Sequence, residues 1–174
     1  MITTLTSNNL PALQPGIDVG AVVFQQVRLH EAWDDIEDLI DEHYRAITLL
    51  SANKDVALEP NKDTYLNIEM TGAYRVYIVR DKETLAIVGY GGYFVSKSLH
   101  YTLSLQAVQD VLYVKPEYRS GWIGYRFLKY IEQCMRNDGV DALYQAVTVA
   151  HDYSKLLRRL NYREAETVFI KKLR

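Results

Sequence analysis

The stretch VLYVKPEYRSGWIGYRFLKYIE, Val111 to Glu132, joins a strand-like apolar run to a helical one across a short segment holding Pro116, Arg119, Gly121 and Gly124. A helix N-terminus carries N–H groups without intrahelical partners and a partial positive charge, so a loop that delivers a phosphate there binds it without many basic side chains. Glycines let the backbone approach closely. The chemistry this turn supports is recognition of a phosphate-bearing cofactor. Just before it, Asp110 is an acidic residue in an otherwise apolar and neutral strand, which makes it the leading candidate for a general base. It stands four residues before Val114 in the strand's alternation, and the other reading open to it is pairing with a neighbouring strand or with Arg119. His100 is the second candidate, with an ordinary pKa of about 6.5; a histidine at a strand connection can equally be exposed or merely hydrogen-bonded.

Other phosphate and metal motifs are set aside. There is no GxxxxGK[ST], and GYGGYF at Gly89 to Phe94 sits inside a strand pattern, where it reads as a bulge or a close backbone approach. Four histidines and one cysteine without HxxxH or CxxC spacing give no expectation of a metal.

The elements that must position these residues follow from periodicity. Residues 1–20 are polar and interrupted by Pro11, Pro15, Gly16 and Gly20, so they read as an N-terminal arm with little regular structure, ahead of a single domain over 21–174. Ala21 to Leu29 reads as a strand. Trp33, Ile36, Ile40, Tyr44 and Ile47 then recur at helical spacing from about Glu31, with Asp34, Asp35, Glu37, Asp38, Asp41 and Glu42 on the other side. That acidic face either draws a cationic amine or is only solvated. Ser51 to Pro60 reads as a loop, and Ser51 to Tyr65 stands where a lid would. Asp63 is the expected cap of a short helix ended by Gly72. Tyr74 to Asp81, Leu85 to Ser98 and Leu103 to Val114 read as a meander of three antiparallel strands. A helix after Arg119 with Ile123, Phe127, Ile131 and Cys134 on one face leads to a strand over Ala142 to Val149, which makes a strand, helix, strand crossover. A shorter helix around Ser154 to Leu160, closed by Asn161, and one or two terminal strands in YREAETVFIKKL complete the chain.

Composition bounds the partners. A chain of 174 residues, 48% hydrophobic and 24% charged, fits one soluble globular domain. The net charge of −2 supplies no field for nucleic-acid phosphates, so no nucleic acid is expected as a partner. A lone Cys134 cannot form an internal disulfide and fits a reducing cytoplasm. No apolar run is long enough to span a bilayer and the N-terminus lacks the order of a signal peptide, so no membrane is expected either.

LYVKPEYRSGWIG, with its flanking strand and helix, resembles the acyl-CoA signature of the GNAT superfamily of N-acyltransferases, which runs V, x, P, x, x, R or Q, x, x, G, x, G or A. Val114, Pro116, Arg119 and Gly124 fall on those positions. The resemblance covers roughly Ala21 to Leu173, with RRLNY where the family often has a leucine, glycine, aromatic turn. More loosely, LHY at Leu99 to Tyr101 followed by DVLYVKPEYRSG is similar to acetyltransferases of phage and prophage genomes. The implied fold is a mixed α/β (α+β) one, with a central, mostly antiparallel, twisted sheet of six to seven strands flanked by about four helices.

The resemblance implies acetyl-CoA (coenzyme A) as acyl donor, a primary amine on a small molecule or protein as acceptor, and direct attack in a ternary complex. Backbone N–H groups of Leu112, Tyr113 and Val114 would serve the thioester and pantetheine, and Arg119, Ser120, Gly121, Trp122, Ile123, Gly124 and Tyr125 would surround the pyrophosphate. Two departures stand out. Trp122 occupies the motif's first glycine while Gly121 lies one place earlier, so either the turn is re-registered with the indole over cofactor or solvent, or Trp122 packs on the next strand. Leu157 stands where many members carry a tyrosine that protonates the departing thiolate; Tyr153, one helical turn earlier, is the substitute candidate. His151 and Asp152 follow the crossover strand, where the family places ligand contacts. A catalytically silent acyl-CoA-binding or protein-interaction module, and more distantly a nucleotide-binding fold, are the competing readings. Oligomeric state stays open, a homodimer included.

Overall fold

The structure is a computed structural model that describes residues 10–48, 58–119, 121–149, 151–171 and 173. Six strands form one sheet in sequence order: β1 (Ile17–Val19), β2 (Val22–Val27), β3 (Tyr74–Asp81), β4 (Ile87–Lys97), β5 (Leu105–Val114) and β6 (Ala142–Tyr144). The first five pair antiparallel and β6 joins β5 in parallel. Four helices flank the sheet: α1 (Leu29–Thr48), α2 (Lys62–Met70), α3 (Ile123–Asn137) and α4 (Ser154–Arg159). This is the mixed, mostly antiparallel architecture expected from the sequence.

The sheet is covered on both faces, which is why β3 reads as a nearly continuous apolar run. Its alternate residues part company: Tyr77 and Val79 join Phe24, Phe127 and Ile131 under α3, whereas Val76 and Ile78 join Trp33 and Ile36 under α1. Phe127 and Ile131 are almost fully buried, each contributing about 1.5–3 kcal/mol of hydrophobic stabilisation. Cys134 shares that layer, and burial pushes its thiol up to about 11. It is a core group at neutral pH.

Two polar devices orient the helices. Glu69 of α2 is 2% exposed, and its carboxylate accepts from the backbone N–H of Leu29 at 2.5 Å and of His30 at 3.3 Å. The first turn of α1 is thus capped by a buried anion from α2, which fixes the two helices that wall one side of the site. On the other side Arg75 at the start of β3 pairs with Asp138 at the end of α3, at 3.2 Å with both side chains buried.

Several elements differ from the sequence reading. Ile17–Val19, inside the expected arm, pairs with β2 as β1. Asn61, not Asp63, caps α2, its side chain accepting from the Thr64 N–H at 3.0 Å. The crossover strand is Ala142–Tyr144, much shorter than Ala142 to Val149. No terminal strand forms among the described residues: Val168, Phe169 and Ile170 are 87%, 91% and 74% exposed, and a strand needs a ladder that nothing there supplies. The loop read over Ser51 to Pro60 lies for residues 51–57 outside the described residues. Among the described residues no helix is long and apolar enough to cross a membrane.

Candidate active site

After Val114 the chain makes a short 3-10 turn over Pro116–Tyr118 and enters α3 through Trp122, which sits at the N-cap without a side-chain cap bond. The first turn of α3 holds no acidic residue, so its exposed N–H groups keep their pull on an anion. Gly121 has φ +74°, a left-handed conformation that favours glycine, and a Cβ there would meet no atom within 4 Å. Gly121 therefore serves conformation rather than a close approach of the backbone to a neighbouring atom. Gly124 has room for a Cβ, with its nearest contact 3.8 Å away on Leu156.

A cavity of about 240 Å³ opens at this turn, lined by Arg119, Gly121, Trp122, Gly124 and Tyr125, with Leu156 and Arg159 from α4. Two arginines thus border one small space at a helix start. Arg119 is held by its Nε donating to the Val114 carbonyl at 2.7 Å and by its position 5.2 Å from the Tyr113 ring centroid. Arg158 is engaged with Ser154 and Glu164. Trp122 is 61% exposed and stands edge-on to Tyr125 at 5.4 Å, so it does not pack on the next strand. Ile123, partly buried, packs on the core instead of lining the cavity. Ser120 lies outside the described residues.

Strand β5 connects this turn to the centre of the fold. The Lys115 N–H donates to the Val88 carbonyl at 2.8 Å, and the register pairs Tyr113 with Tyr90 and Leu112 with Gly91. Antiparallel alternation then turns the amides of Tyr113 and Val111 toward β4 and those of Leu112 and Val114 toward the opposite edge. On that edge β6 pairs only with Gln106 to Val108. Beyond Val108 this edge of β5 has no strand partner among the described residues, so the sheet leaves the Leu112 and Val114 N–H groups unpaired. The Gln109 side chain bridges the start of the gap, its Oε1 accepting from the Ala146 N–H at 3.2 Å and from the Tyr153 hydroxyl at 2.8 Å.

Asp110 is the extra residue of a β-bulge: Gly92 pairs with Val111 and Tyr93 with Gln109, which leaves Asp110 with no opposite number. The bulge breaks the alternation, so Asp110 meets the α1 and α2 side of the sheet while Val114 packs on the α3 side. There its Oδ2 accepts from Tyr65 at 2.9 Å and from Tyr74 at 2.8 Å. Burial, and then the Asp110 charge, raise both phenols well above the usual tyrosine range. Tyr74 reaches Asp110 by passing over Gly92, where a Cβ would stand 2.0 Å from its hydroxyl. Asp110 closes a second cavity of about 360 Å³ between α1, α2 and the sheet.

No protein-family model matches the chain and no curated protein matches its sequence. Solved structures do match its fold. An aminoglycoside acetyltransferase from an uncultured soil metagenomic sample, in complex with trehalose, superposes with a TM-score of 0.68 at 13% identity, over 88% of this chain and 97% of that one. A ribosomal-protein-alanine N-acetyltransferase from Brucella melitensis biovar Abortus 2308 gives 0.65 at 14% identity, over 88% and 99%. Glucosamine-6-phosphate N-acetyltransferase from Arabidopsis thaliana gives 0.60 at 12%, over 87% and 99%. The chain has the GNAT fold.

In the GNAT frame the remaining candidates separate. His100 is exposed at the β4–β5 connection, its N–H donating to Ser98 Oγ at 3.3 Å, and it lines neither cavity. Tyr153 lies at the strand divergence, its hydroxyl within 2.7 Å of the Ala146 carbonyl and 2.8 Å of Gln109. Burial pushes it up to about 12. Leu157 is buried against Leu128 and Leu160, so the position where the motif resemblance points to a proton donor is core. Asp152 accepts from the Ser154 N–H at 2.8 Å at the start of α4.

Periodicity gives no sign of His43, which lines the larger cavity, stacks on Tyr113 at 4.8 Å and meets the Tyr90 hydroxyl at 3.0 Å. Burial lowers it to about 4, with the His151 and Arg119 charges adding to the effect. It is neutral at pH 7. Glu42 beside it accepts from Tyr113 at 2.6 Å and pairs with Lys115 at 3.4 Å, so one residue of the acidic face is structural. The Tyr113 hydroxyl holds its carboxyl below the usual range. Arg159 also escapes the sequence reading; its only trace is the RR pair, of which one arginine serves a surface ion pair.

Proposed function

We propose that the chain is an acetyl-CoA-dependent N-acetyltransferase that transfers an acetyl group to a primary amine by direct attack in a ternary complex. One observation carries the reading: the anion-accepting turn and the Asp110 cavity lie at opposite ends of the same few residues of β5, where β5 and β6 part. The left-handed Gly121, the uncapped start of α3 and the two arginines fit a diphosphate. Leu112 and Val114 would hold the pantetheine arm and thioester carbonyl through their unpaired amides. When bound, acetyl-CoA supplies an activated acetyl group.

Asp110 orients the amine and takes its proton, either directly or through one water. Tyr65 and Tyr74 keep the carboxylate in a fixed orientation and occupy one of its oxygens. Tyr153 holds its proton more tightly than a thiol of ordinary pKa, about 8.5, so it would hydrogen-bond a departing thiolate without surrendering that proton. Its firmer role is to prop the strands apart through Gln109. Calorimetry with CoA, followed by mass detection of acetylated product from acetyl-CoA and a panel of amines, tests the proposal. Micromolar CoA binding with turnover is the expected result, and failure to bind CoA overturns it. Leu157 favours the second reading, a silent acyl-CoA binder, whose mark is CoA binding without turnover of any amine.

A further inference from the structure

The larger cavity is chemically one-sided. Trp33, Ile36 and Ile40 of α1, with Val76 and Val111 of the sheet, form an apolar body. The polar end gathers Asp110 with the rings of Tyr65 and Tyr74, whose centroids are 5.4 Å apart and tilted by 59°. Glu59 lies exposed among the lining residues, while none of Asp34, Asp35, Glu37, Asp38 and Asp41 lines the cavity. The Trp33 indole N–H is buried without a hydrogen-bond partner, and His43, Tyr44, Asn61 and Tyr90 also line the space. A dry cavity of about 150 Å³ holds benzene, so about 360 Å³ admits a ring with its side arm.

Resting on the acetyltransferase reading above, we infer that the acceptor is a small primary amine on an apolar, ring-bearing body. Its ammonium would sit against Asp110 and the Tyr65 and Tyr74 rings, and its ring among Trp33, Ile36 and Ile40. Polyamines and polyhydroxylated aminosugars are the wrong shape of polarity. An ammonium or hydroxyl carried on the part of the molecule that lies against Ile36, Ile40 and Val76 would lose water to an apolar wall.

Calorimetry on the intact protein tests this with tryptamine, 2-phenylethylamine, spermidine and kanamycin, and with 2-phenylethanol as a neutral match in shape. The ring amines should bind at least about tenfold more tightly than spermidine or kanamycin. Asp110→Asn should weaken the ring amines about tenfold and 2-phenylethanol by less than about twofold. Spermidine or kanamycin binding as tightly as the ring amines overturns the inference, as does Asp110→Asn affecting amine and alcohol alike. The wild-type ranking stands even if the variant fails to fold. A separate CoA titration keeps the two levels apart: CoA binding with the wrong amine ranking sinks only the acceptor class, whereas absent CoA binding sinks the acetyltransferase reading beneath it.

Discussion

Gly92, Tyr74 and Asp110 act as one unit. A methyl at position 92 would stand 2.0 Å from the Tyr74 hydroxyl and 2.8 Å from its ring, so Gly92→Ala must push the phenol off the carboxylate. We expect it to cost about 1–3 kcal/mol in urea unfolding, as overpacking does, and to lower kcat/KM for amine acetylation; a variant unchanged in both would show that the contact is dispensable. Gly121→Ala tests the other end of the site. With open space around its Cβ, the expected loss is conformational alone, about 1–2 kcal/mol, together with weaker CoA binding. Arg159→Ala should leave the unfolding midpoint unchanged, since the residue is exposed, and weaken CoA about tenfold. Arg119 and Gly121 are readable in sequence because one turn contains them both. Arg159, His43 and the tyrosine pair on Asp110 are not, because tertiary packing brings them from elements far apart in the chain.

The bulge is the element that makes the site. Deleting Asp110 would let Gln109 and Val111 pair with Tyr93 and Gly92 in an unbroken ladder, so the fold should survive with native far-ultraviolet circular dichroism while acetylation is lost. A deletion that unfolds the protein would mean that the Asp110 hydrogen bonds stabilise the sheet itself. Helices α1 and α3 were legible from their apolar stripes, each helix being a pattern within its own residues. Strands depend on a partner. Periodicity therefore places β3, β4 and β5, yet misses β1 and overextends β6, since Val147 and Val149 lie beyond its end, join no strand ladder and stay exposed. The glycine group of β4 does sit at a bulge and a close approach, as its sequence predicts, although which residue of β5 it exposes depends on a register that no single strand encodes.

At the scale of the whole molecule, His43 makes stability depend on pH. Its pKa of about 4 in the fold lies below the unfolded value of about 6.5. The unfolded chain therefore binds more protons between those limits, and stability falls as pH drops through that window, by up to about 3 kcal/mol. Urea unfolding at pH 7.0, 5.5 and 4.5 should show the decline, and His43→Gln should flatten it; an equal slope in the variant would assign the effect to other groups.

The tyrosines set the opposite limit. Of 14 in the chain, Tyr74, Tyr77, Tyr90, Tyr93, Tyr113 and Tyr130 lie inside the two core layers, and burial raises all six above the usual phenol range. Folded protein holds these protons above pH 10 where the unfolded chain releases them, so alkali draws the equilibrium toward unfolding. Absorbance near the phenolate band should accordingly rise in two stages, first from surface rings and then in one cooperative step that coincides with collapse of the fold. The aromatic layer that shapes the cavity is thereby also a built-in alkaline fuse.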